Sequence, residues 1–212
     1  MKFDLLGLDD AVRRDVQAVA AWRRFDRGVV LFHEGEAGGS LHVLMRGRVA
    51  IRATTPDGDT VTLNVIGPGA AFGELSLLDS ATTRTASVQA IEPVQTLVLQ
   101  RADFDRLRRT YPSVDRLLVE YLAAQVRRLS ERLTEALCFE ARTRVLRRLL
   151  DLDAVFDGGL VPVTQEEIST MAGTTRPTVN RVMQDLAEAG IIELGRGRFI
   201  VIDSTALARA AR

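Results

Sequence analysis

VTQEEISTMAGTTRPTVNRVMQDLAEA, residues 163–189, contains two short helix patterns on either side of a glycine. Thr164 followed three residues later by Glu167 is a capping-box pattern, in which each side chain satisfies an amide that the start of a helix leaves unpaired. Gly173 interrupts the pattern where a chain reversal needs a residue without a side chain. This stretch therefore predicts a helix, a tight glycine turn and a second helix.

The second helix is expected from Arg176 to Ala189, with Thr174 or Thr175 as its N-cap. Pro177 lies in its first turn, where a missing amide proton costs nothing. One face is apolar and is predicted to be core: Val179, Val182, Met183 and Leu186.

In a unit of this kind the second helix enters the major groove of DNA by its N-terminal residues. The side chains there suit that task. Arginine can bond guanine through O6 and N7, asparagine suits adenine, and threonine can hold a phosphate or touch a thymine methyl. The candidate DNA-binding residues of this helix are Thr175, Arg176, Thr178, Asn180 and Arg181.

Two β patterns follow, Ile191–Leu194 and Phe199–Ile202, and they predict a hairpin wing. Its tip carries Arg196 and Arg198, which are candidates for binding phosphate. Any one arginine on a helix is more often a solvated charge. The order of capped helix, glycine turn, arginine-bearing helix and basic hairpin is what predicts a winged helix-turn-helix that binds double-stranded DNA.

Composition places the chain among compact globular proteins. It has 212 residues, 46% of them hydrophobic, and 28 basic against 28 acidic side chains, so DNA affinity has to come from a local basic face. The single Cys138 fits a reducing cytoplasm and leaves no cysteine-rich zinc site or iron–sulfur cluster within one chain. No signal peptide and no run of eighteen apolar residues is apparent. We expect a cytoplasmic protein with no membrane partner and no metal.

The N-terminal half changes from helix to β patterns. Residues Asp9–Trp22 have apolar side chains at helical spacing and predict a short opening helix. Between residues 25 and 100, closely spaced strands indicate a barrel, roll or sandwich, with Pro56–Asp59 as a hairpin turn. The predicted strands are Val29–Phe32, Leu41–Met45, Arg48–Ile51, Val61–Ile66 and Thr96–Leu99.

A long helical pattern runs from Ser113 to about Leu152, and we expect a break near Phe139–Thr143. Its apolar residues follow steps of four and three, which is typical of a coiled-coil seam and predicts a homodimer. The alternative is that this seam packs on its own β-domain. The seam residues are Leu118, Leu122, Val126, Leu129, Leu133 and Ala136.

Residues 72–78, FGELSLL, and 83–88, TRTASV, form the most distinctive pair of motifs. A Gly-Glu-Leu turn that opens a short helix offers amide donors, and an arginine about ten residues later can return to neutralise the same anion. This pattern suits a cyclic phosphate.

These motifs resemble the phosphate-binding cassette of cyclic-nucleotide-binding domains. From about Leu5 to Arg212 the chain resembles the cyclic-AMP receptor protein / fumarate-nitrate regulator (CRP/FNR) family of bacterial transcription factors. The resemblance implies an α+β fold with a β-roll (jelly-roll) sensor domain at 1–112, a dimerisation helix and hinge at 113–142, and a winged helix-turn-helix at 143–212. It implies cyclic AMP as effector, and the cassette contacts fall on Gly73, Glu74, Leu75, Ser76, Arg84 and Thr85.

The chain departs from the family pattern in two places. The two hydroxyl residues that hold adenine fall on Leu129 and Ser130, so only Ser130 is retained, and a family arginine on the same helix falls on Gln125. Pro177 replaces a glutamate that reads cytosine, so we expect looser reading at one base pair.

We do not expect His33 or His42 to bind haem, since each is expected to be an ordinary side chain on a strand. Together these features predict an allosteric, non-enzymatic DNA-binding regulator that dimerises and contacts RNA polymerase. One alternative is a constitutive regulator in which Glu74 and Arg84 form an empty structural ion pair. Others are a regulator of a different signal, or a ligand-binding module without DNA activity. An enzyme lacks support, because the sequence has no nucleophile with a histidine partner and no P-loop.

Overall fold

The structure, a computed structural model, describes residues 9–78 and 83–211. The first and last residues of the resemblance, Leu5 to Leu8 and Arg212, lie outside the described residues. None of the described helices is long and apolar enough to span a membrane. The helices are α1 (Asp10–Val19), α2 (Leu75–Leu78), α3 (Arg101–Thr110), α4 (Pro112–Cys138), α5 (Ala141–Val155), α6 (Gln165–Ala172), α7 (Arg176–Glu188) and α8 (Ser204–Ala210).

Ten strands complete the described fold. They are β1 (Ala21–Phe25), β2 (Val30–Phe32), β3 (Ser40–Arg46), β4 (Val49–Thr54), β5 (Thr60–Ile66), β6 (Ala71–Phe72), β7 (Ser87–Ala90), β8 (Val94–Gln100), β9 (Ile192–Gly195) and β10 (Arg198–Val201). Two four-stranded sheets have the orders β1-β8-β3-β6 and β2-β7-β4-β5, and β9 pairs with β10. The α+β class with a β-roll, a long helix and a winged helix-turn-helix is confirmed.

The opening helix is shorter than the sequence pattern predicted. Val12 and Val16 are buried as expected, but α1 ends at Val19, and Trp22 belongs to β1. The pairing of Trp22 with Leu97 in the sheet overrides the helical spacing. The prediction that the helix reaches Trp22 was therefore wrong.

Two apolar clusters hold the sensor fold together, and alternation along β3 divides its side chains between them. Leu41 and Val43 pack with residues of α1, α3 and α4, including Phe104 and Leu118. Leu44 points to the other side, into a cluster that the strands of both large sheets share. The sheet thus has a helical layer on one face and the interior of the roll on the other.

The long helical pattern breaks where the sequence predicted. Helix α4 ends at Cys138 and α5 begins at Ala141. The first seam residue, Leu118, is buried between the sheet and its helical layer, whereas later members are exposed to solvent: Val126 at 62%, Leu129 at 67% and Leu133 at 61%.

Contacts divide the chain into two compact units, residues 9–53 with 66–129 and residues 54–65 with 130–211. In the second unit, α5 to α8 and the β9–β10 hairpin enclose a core of large buried side chains, which includes Val145, Leu149, Ile168, Val179, Phe199 and Leu207. Helices α3 and α8 have no counterpart among the elements that the sequence predicted.

Candidate functional site

The cassette turn requires a glycine at position 73. Gly73 has φ of +80°, a conformation that side chains disfavour. A Cβ there would lie 2.3 Å from Arg84 Nη1 and 2.9 Å from the carbonyl oxygen of Ser40. The guanidinium therefore lies directly against the turn, and a side chain at position 73 would displace it.

Arg84 is buried and is held by neutral groups. Its Nη1 donates to the carbonyl oxygens of Ser40 at 2.9 Å and Gly73 at 3.1 Å, and to Ser76 Oγ at 2.9 Å. Its Nη2 donates to Ser40 Oγ at 2.9 Å. Ser40 thus bridges the two Nη nitrogens, and the cassette residues Gly73 and Ser76 fix the guanidinium from the other side.

One edge of this guanidinium keeps its hydrogen-bonding capacity. Arg84 Nε is buried and has no acceptor among residues 9–78 and 83–211. In the planar guanidinium fork, Nε–H and one Nη2–H form a parallel pair that matches two oxygens of a phosphate or a carboxylate. The site therefore holds a fixed positive charge with a bidentate edge whose Nε–H has no acceptor in the described part of the chain.

The acidic side chain of the cassette is close enough to influence Arg84 without pairing with it. Burial raises the pKa of Glu74, and the nearby Arg84 opposes that shift. Burial also lowers the pKa of Arg84, while Glu36 and Glu74 act in the opposite direction. Among the described side chains, however, no carboxylate forms an ion pair with Arg84.

The second candidate site is the exposed face of α6, α7 and the wing. Thr164 and Glu167 form the predicted capping box, Gly173 is left-handed with φ of 58°, and Thr175 caps α7. A cavity of about 480 Å³ lies between these elements, and Arg176 and Arg198 are among the residues that line it. All four arginines of α7 and the wing are exposed: Arg176, Arg181, Arg196 and Arg198.

Each of the two candidate sites lies in a segment that matches a known family model. Residues 22–111 match the family model described as "Cyclic nucleotide-binding domain", and residues 143–210 match "Crp-like helix-turn-helix domain". The chain is 36% identical over 189 residues to a cyclic AMP receptor protein of Thermus thermophilus, a match that covers 89% of this chain and 87% of the relative. The chain belongs to the CRP/FNR family of transcription regulators.

Two further relatives support this assignment. A CRP-like cAMP-activated global transcriptional regulator of Mycobacterium tuberculosis is 35% identical over 195 residues, covering 89% of this chain and 87% of the relative. The crystal structure of the Thermus thermophilus catabolite activator protein is 35% identical, covers 97% of this chain and 96% of that chain, and has a TM-score of 0.57. This CRP/FNR regulator therefore combines a cyclic-nucleotide-binding domain with a DNA-binding helix-turn-helix.

The structure brings together only part of the cassette that family resemblance implied. Gly73, Ser76 and Arg84 are in direct contact, and Glu74 lies half-buried beside them. Leu75 and Thr85 are exposed. Ser130 is exposed on α4 and belongs to the second compact unit. The adenine contact of Ser130 stays a prediction.

Sequence reasoning missed several residues that shape these CRP/FNR sites. Ser40 has no motif around it, and its role follows only from its contacts with Arg84. Arg144 likewise has no motif around it that distinguishes it from other arginines of the helix. Its guanidinium donates to the carbonyl oxygens of Ala172, Gly173 and Phe139 at 2.8, 2.9 and 2.7 Å. It thereby ties the turn of the helix-turn-helix to the break between α4 and α5.

Gln165 is a third such residue, because it links the two helices of the DNA-binding unit. Gln165 Nε2 donates to Asn180 Oδ1 at 3.2 Å. The side chain of Asn180, a candidate base reader, is thus oriented from α6. The spacing of fifteen residues gives no sequence signal for this pair.

Proposed function

We propose that this regulator is a homodimer that binds specific double-stranded DNA more tightly when cyclic AMP occupies its β-roll, and that it then acts on RNA polymerase. The observation that carries the proposal is the buried Arg84 guanidinium, whose Nε edge has no acceptor in the described residues. A cyclic phosphate supplies a matching pair of oxygens. The M. tuberculosis relative is named as cAMP-activated, which supports cyclic AMP as the effector.

The positive charge of Arg84 makes an anion the expected ligand of the cassette. A phosphate that leaves water needs strong compensation, and the fixed positive charge of Arg84 beside the Gly73–Ser76 turn provides it. The half-buried Glu74 is suited to accept a hydrogen bond from a ribose hydroxyl, and Leu75, Thr85 and Ser130 complete the proposed contacts.

The alternative is a constitutive regulator in which Glu74 and Arg84 form an empty ion pair. The hydrogen bonds of Arg84 count against this alternative, because neutral groups of Ser40, Gly73 and Ser76 hold it instead. A guanidinium without a paired carboxylate keeps its full charge available for a ligand.

The exposed part of α4 supports the homodimer. Val126, Leu129, Leu133 and Leu137 are all more than half exposed, the last at 76%. An apolar seam of this length on a helix is an aggregation liability unless another helix covers it. A second copy of α4 presents the same spacing of apolar residues, so the two seams are complementary.

The dimer is tested by placing a charge in the seam. Leu133→Glu should convert the protein to a monomer near 23.3 kDa in sedimentation, since a buried carboxylate loses hydration without a partner. Thr134→Glu adds the same charge on an exposed neighbouring position and should leave the dimer intact. A wild-type monomer at micromolar concentration would refute the dimer.

Ligand control requires that cyclic AMP prefers one dimer state over the other. Shifting a population from almost wholly one state to almost wholly the other takes about 5 kcal/mol of preference. In the favoured state, the paired recognition helices would present Thr175, Arg176, Thr178, Asn180 and Arg181 to base edges, with Arg196 and Arg198 on the phosphates.

Calorimetry with cyclic AMP and cyclic GMP on the full-length protein tests the effector directly. Wild-type protein should release or absorb heat on binding cyclic AMP, and gel shifts on selected DNA should tighten with it. Arg84→Leu should abolish both effects, whereas Arg24→Leu, which removes an exposed arginine from β1, should abolish neither. No heat with either nucleotide at millimolar concentration, together with unchanged DNA binding, would show that the regulator is constitutive or answers another signal.

A further inference from the structure

His42 lies on strand β3, as expected, and its side chain is buried. It is 7% exposed, whereas His33, the other histidine of the chain, lies in solvent. The His42 ring stacks on Phe72 with centroids 5.1 Å apart and lies 5.7 Å from Phe32. The Arg84 guanidinium covers that same Phe32 ring at 4.1 Å. His42 and Arg84 therefore both lie against the ring of Phe32.

Both ring nitrogens of His42 have hydroxyl partners. Nδ1 lies 3.4 Å from Thr96 Oγ1, and Nε2 lies 3.3 Å from Ser40 Oγ. Burial, helped by the positive charge of Arg84, lowers the pKa of His42 to about 4. The imidazole is thus neutral near pH 7, with one nitrogen that donates a hydrogen bond and one that accepts.

Thr96 decides which nitrogen carries the proton. Its side chain is fully buried, and among the described residues His42 is the hydrogen-bond partner of its hydroxyl. A buried hydroxyl needs an acceptor for its proton, because an unsatisfied donor is costly. Thr96 therefore donates to Nδ1, and the His42 proton lies on Nε2, from which it donates to Ser40.

Ser40 Oγ then accepts two hydrogen bonds, one from His42 Nε2 and one from Arg84 Nη2. A hydroxyl oxygen has two lone pairs and one proton, so both lone pairs are used and the proton remains to be donated. Ser40 is half-buried beside the free edge of Arg84. Its proton is available to an oxygen of an anion on that edge.

We propose that His42 is a positioning residue for the anion site, holding Ser40 so that Ser40 fixes Arg84 and donates its own hydroxyl proton to the bound phosphate. This inference deepens the proposed cyclic-nucleotide function and rests on it. It adds Ser40 to the ligand-binding residues. Donation runs from Thr96 to His42 and from His42 to Ser40, Arg84 donates to the same Ser40 oxygen, and the Ser40 proton is left for the phosphate.

The first test is spectroscopic and needs no ligand. Long-range ¹H–¹⁵N correlation of the histidine rings in the full-length protein at pH 7 should show His42 as the neutral Nε2–H tautomer. The exposed His33 gives the second set of ring signals and serves as the assignment reference. An Nδ1–H tautomer or a charged ring at position 42 would overturn the proposed direction of the chain.

The second test measures cyclic AMP affinity in full-length variants whose folding is checked by thermal unfolding. Ser40→Ala and His42→Phe should each weaken binding by about tenfold, the loss of roughly one hydrogen bond to a charged group. The double variant should bind no more weakly than Ser40→Ala alone, because both changes act through the same hydroxyl. Ser40→Thr, which keeps that hydroxyl, and His33→Gln should retain wild-type affinity.

The outcomes separate this inference from the function on which it rests. If wild-type protein binds cyclic AMP and the Ser40 and His42 variants bind it equally well, the positioning role is refuted. If wild-type protein binds neither cyclic AMP nor cyclic GMP, the proposed effector and the Ser40 contact with phosphate both fail. Should His42→Phe not fold, His42→Phe combined with Thr96→Val removes the stranded hydroxyl and repeats the measurement.

Discussion

Tyr121 Oη donates a hydrogen bond of 2.6 Å to the carbonyl oxygen of Ala71, two residues before the glycine of the cassette. Gln125 Nε2 donates to the same phenol oxygen at 3.0 Å. Burial and the nearby Glu74 raise the pKa of Tyr121 to about 12, so the phenol stays protonated and remains a donor. The long helix α4 is therefore bonded to the strand that leads into the cassette.

Removing this phenol should weaken the connection between ligand and helix. Tyr121→Phe loses a buried hydrogen bond and leaves the Ala71 carbonyl unpaired, so we expect a loss of about 1 kcal/mol in the free energy of unfolding. The gain in DNA affinity that we propose for cyclic AMP should also fall. Tyr111→Phe is the matched control, since the Tyr111 hydroxyl bonds the exposed Asp15 at 2.5 Å. Equal effects from the two tyrosine variants would contradict the link.

The recognition helix and the wing should contribute differently to DNA binding. Arg176→Ala should cost about 1–3 kcal/mol and relax specificity at one base pair, as expected for a lost base contact. Arg198→Ala should weaken all sequences alike and reduce the salt slope by about one unit. Arg209→Ala, which removes the same charge from α8, is the control. Gel shifts on randomised half-sites over a salt series measure both effects. Equal, sequence-independent losses from the two variants would contradict this division of roles between helix and wing.

The break between α4 and α5 is stabilised by ion pairs with little exposure. Glu135 accepts from Arg147 at 2.8 Å and from Arg148 at 2.5 Å, and the Arg148 side chain is only 5% exposed. Glu135→Gln should lower the free energy of unfolding by about 1–3 kcal/mol, because it leaves the buried Arg148 guanidinium with the half-exposed Asp151, 3.2 Å away, as its counter-charge.

The exposed pair of Arg116 and Glu120 provides the comparison for that change. Glu120→Gln should alter stability by less than about 1 kcal/mol, since water screens the pair. Denaturant unfolding measures the free energy of unfolding of both variants. A Glu135→Gln protein as stable as Glu120→Gln would show that the buried pair contributes little.

The stability of the sensor fold should fall in mild acid because of His42. Its folded pKa is about 4 against an ordinary value of 6.5, because burial and then the positive charge of Arg84 disfavour the protonated ring. Between those two values the unfolded chain binds the extra proton, so stability decreases as pH falls from about 6.5 to about 4, by roughly 3 kcal/mol. His42→Phe should flatten this part of the profile, whereas His33→Gln should not. A wild-type profile without this slope would refute the assignment.

Sequence was sufficient where the signal is local. The capping box of Thr164 and Glu167, the left-handed Gly173 and the cap at Thr175 all appear as predicted, because each depends on residues within one helical turn. The break after Cys138 was predicted from length, because the helical pattern from Ser113 to about Leu152 exceeds an ordinary globular helix. The end of α1 was not, because sheet pairing of Trp22 with Leu97, seventy-five residues away, determines it.

The sequence by itself therefore determined the family, the order of the elements, and the identity of Arg84 and Arg176 as candidate contacts, since motifs and periodicity lie along the chain. Tertiary structure alone decided what holds Arg84. Ser40 reaches it across 44 residues, and Tyr121 reaches Ala71 across 50. Such pairs leave no local pattern, because burial of a donor against a distant acceptor is fixed only when strands and helices pack, and that packing left the Nε edge of Arg84 without a partner among the described residues.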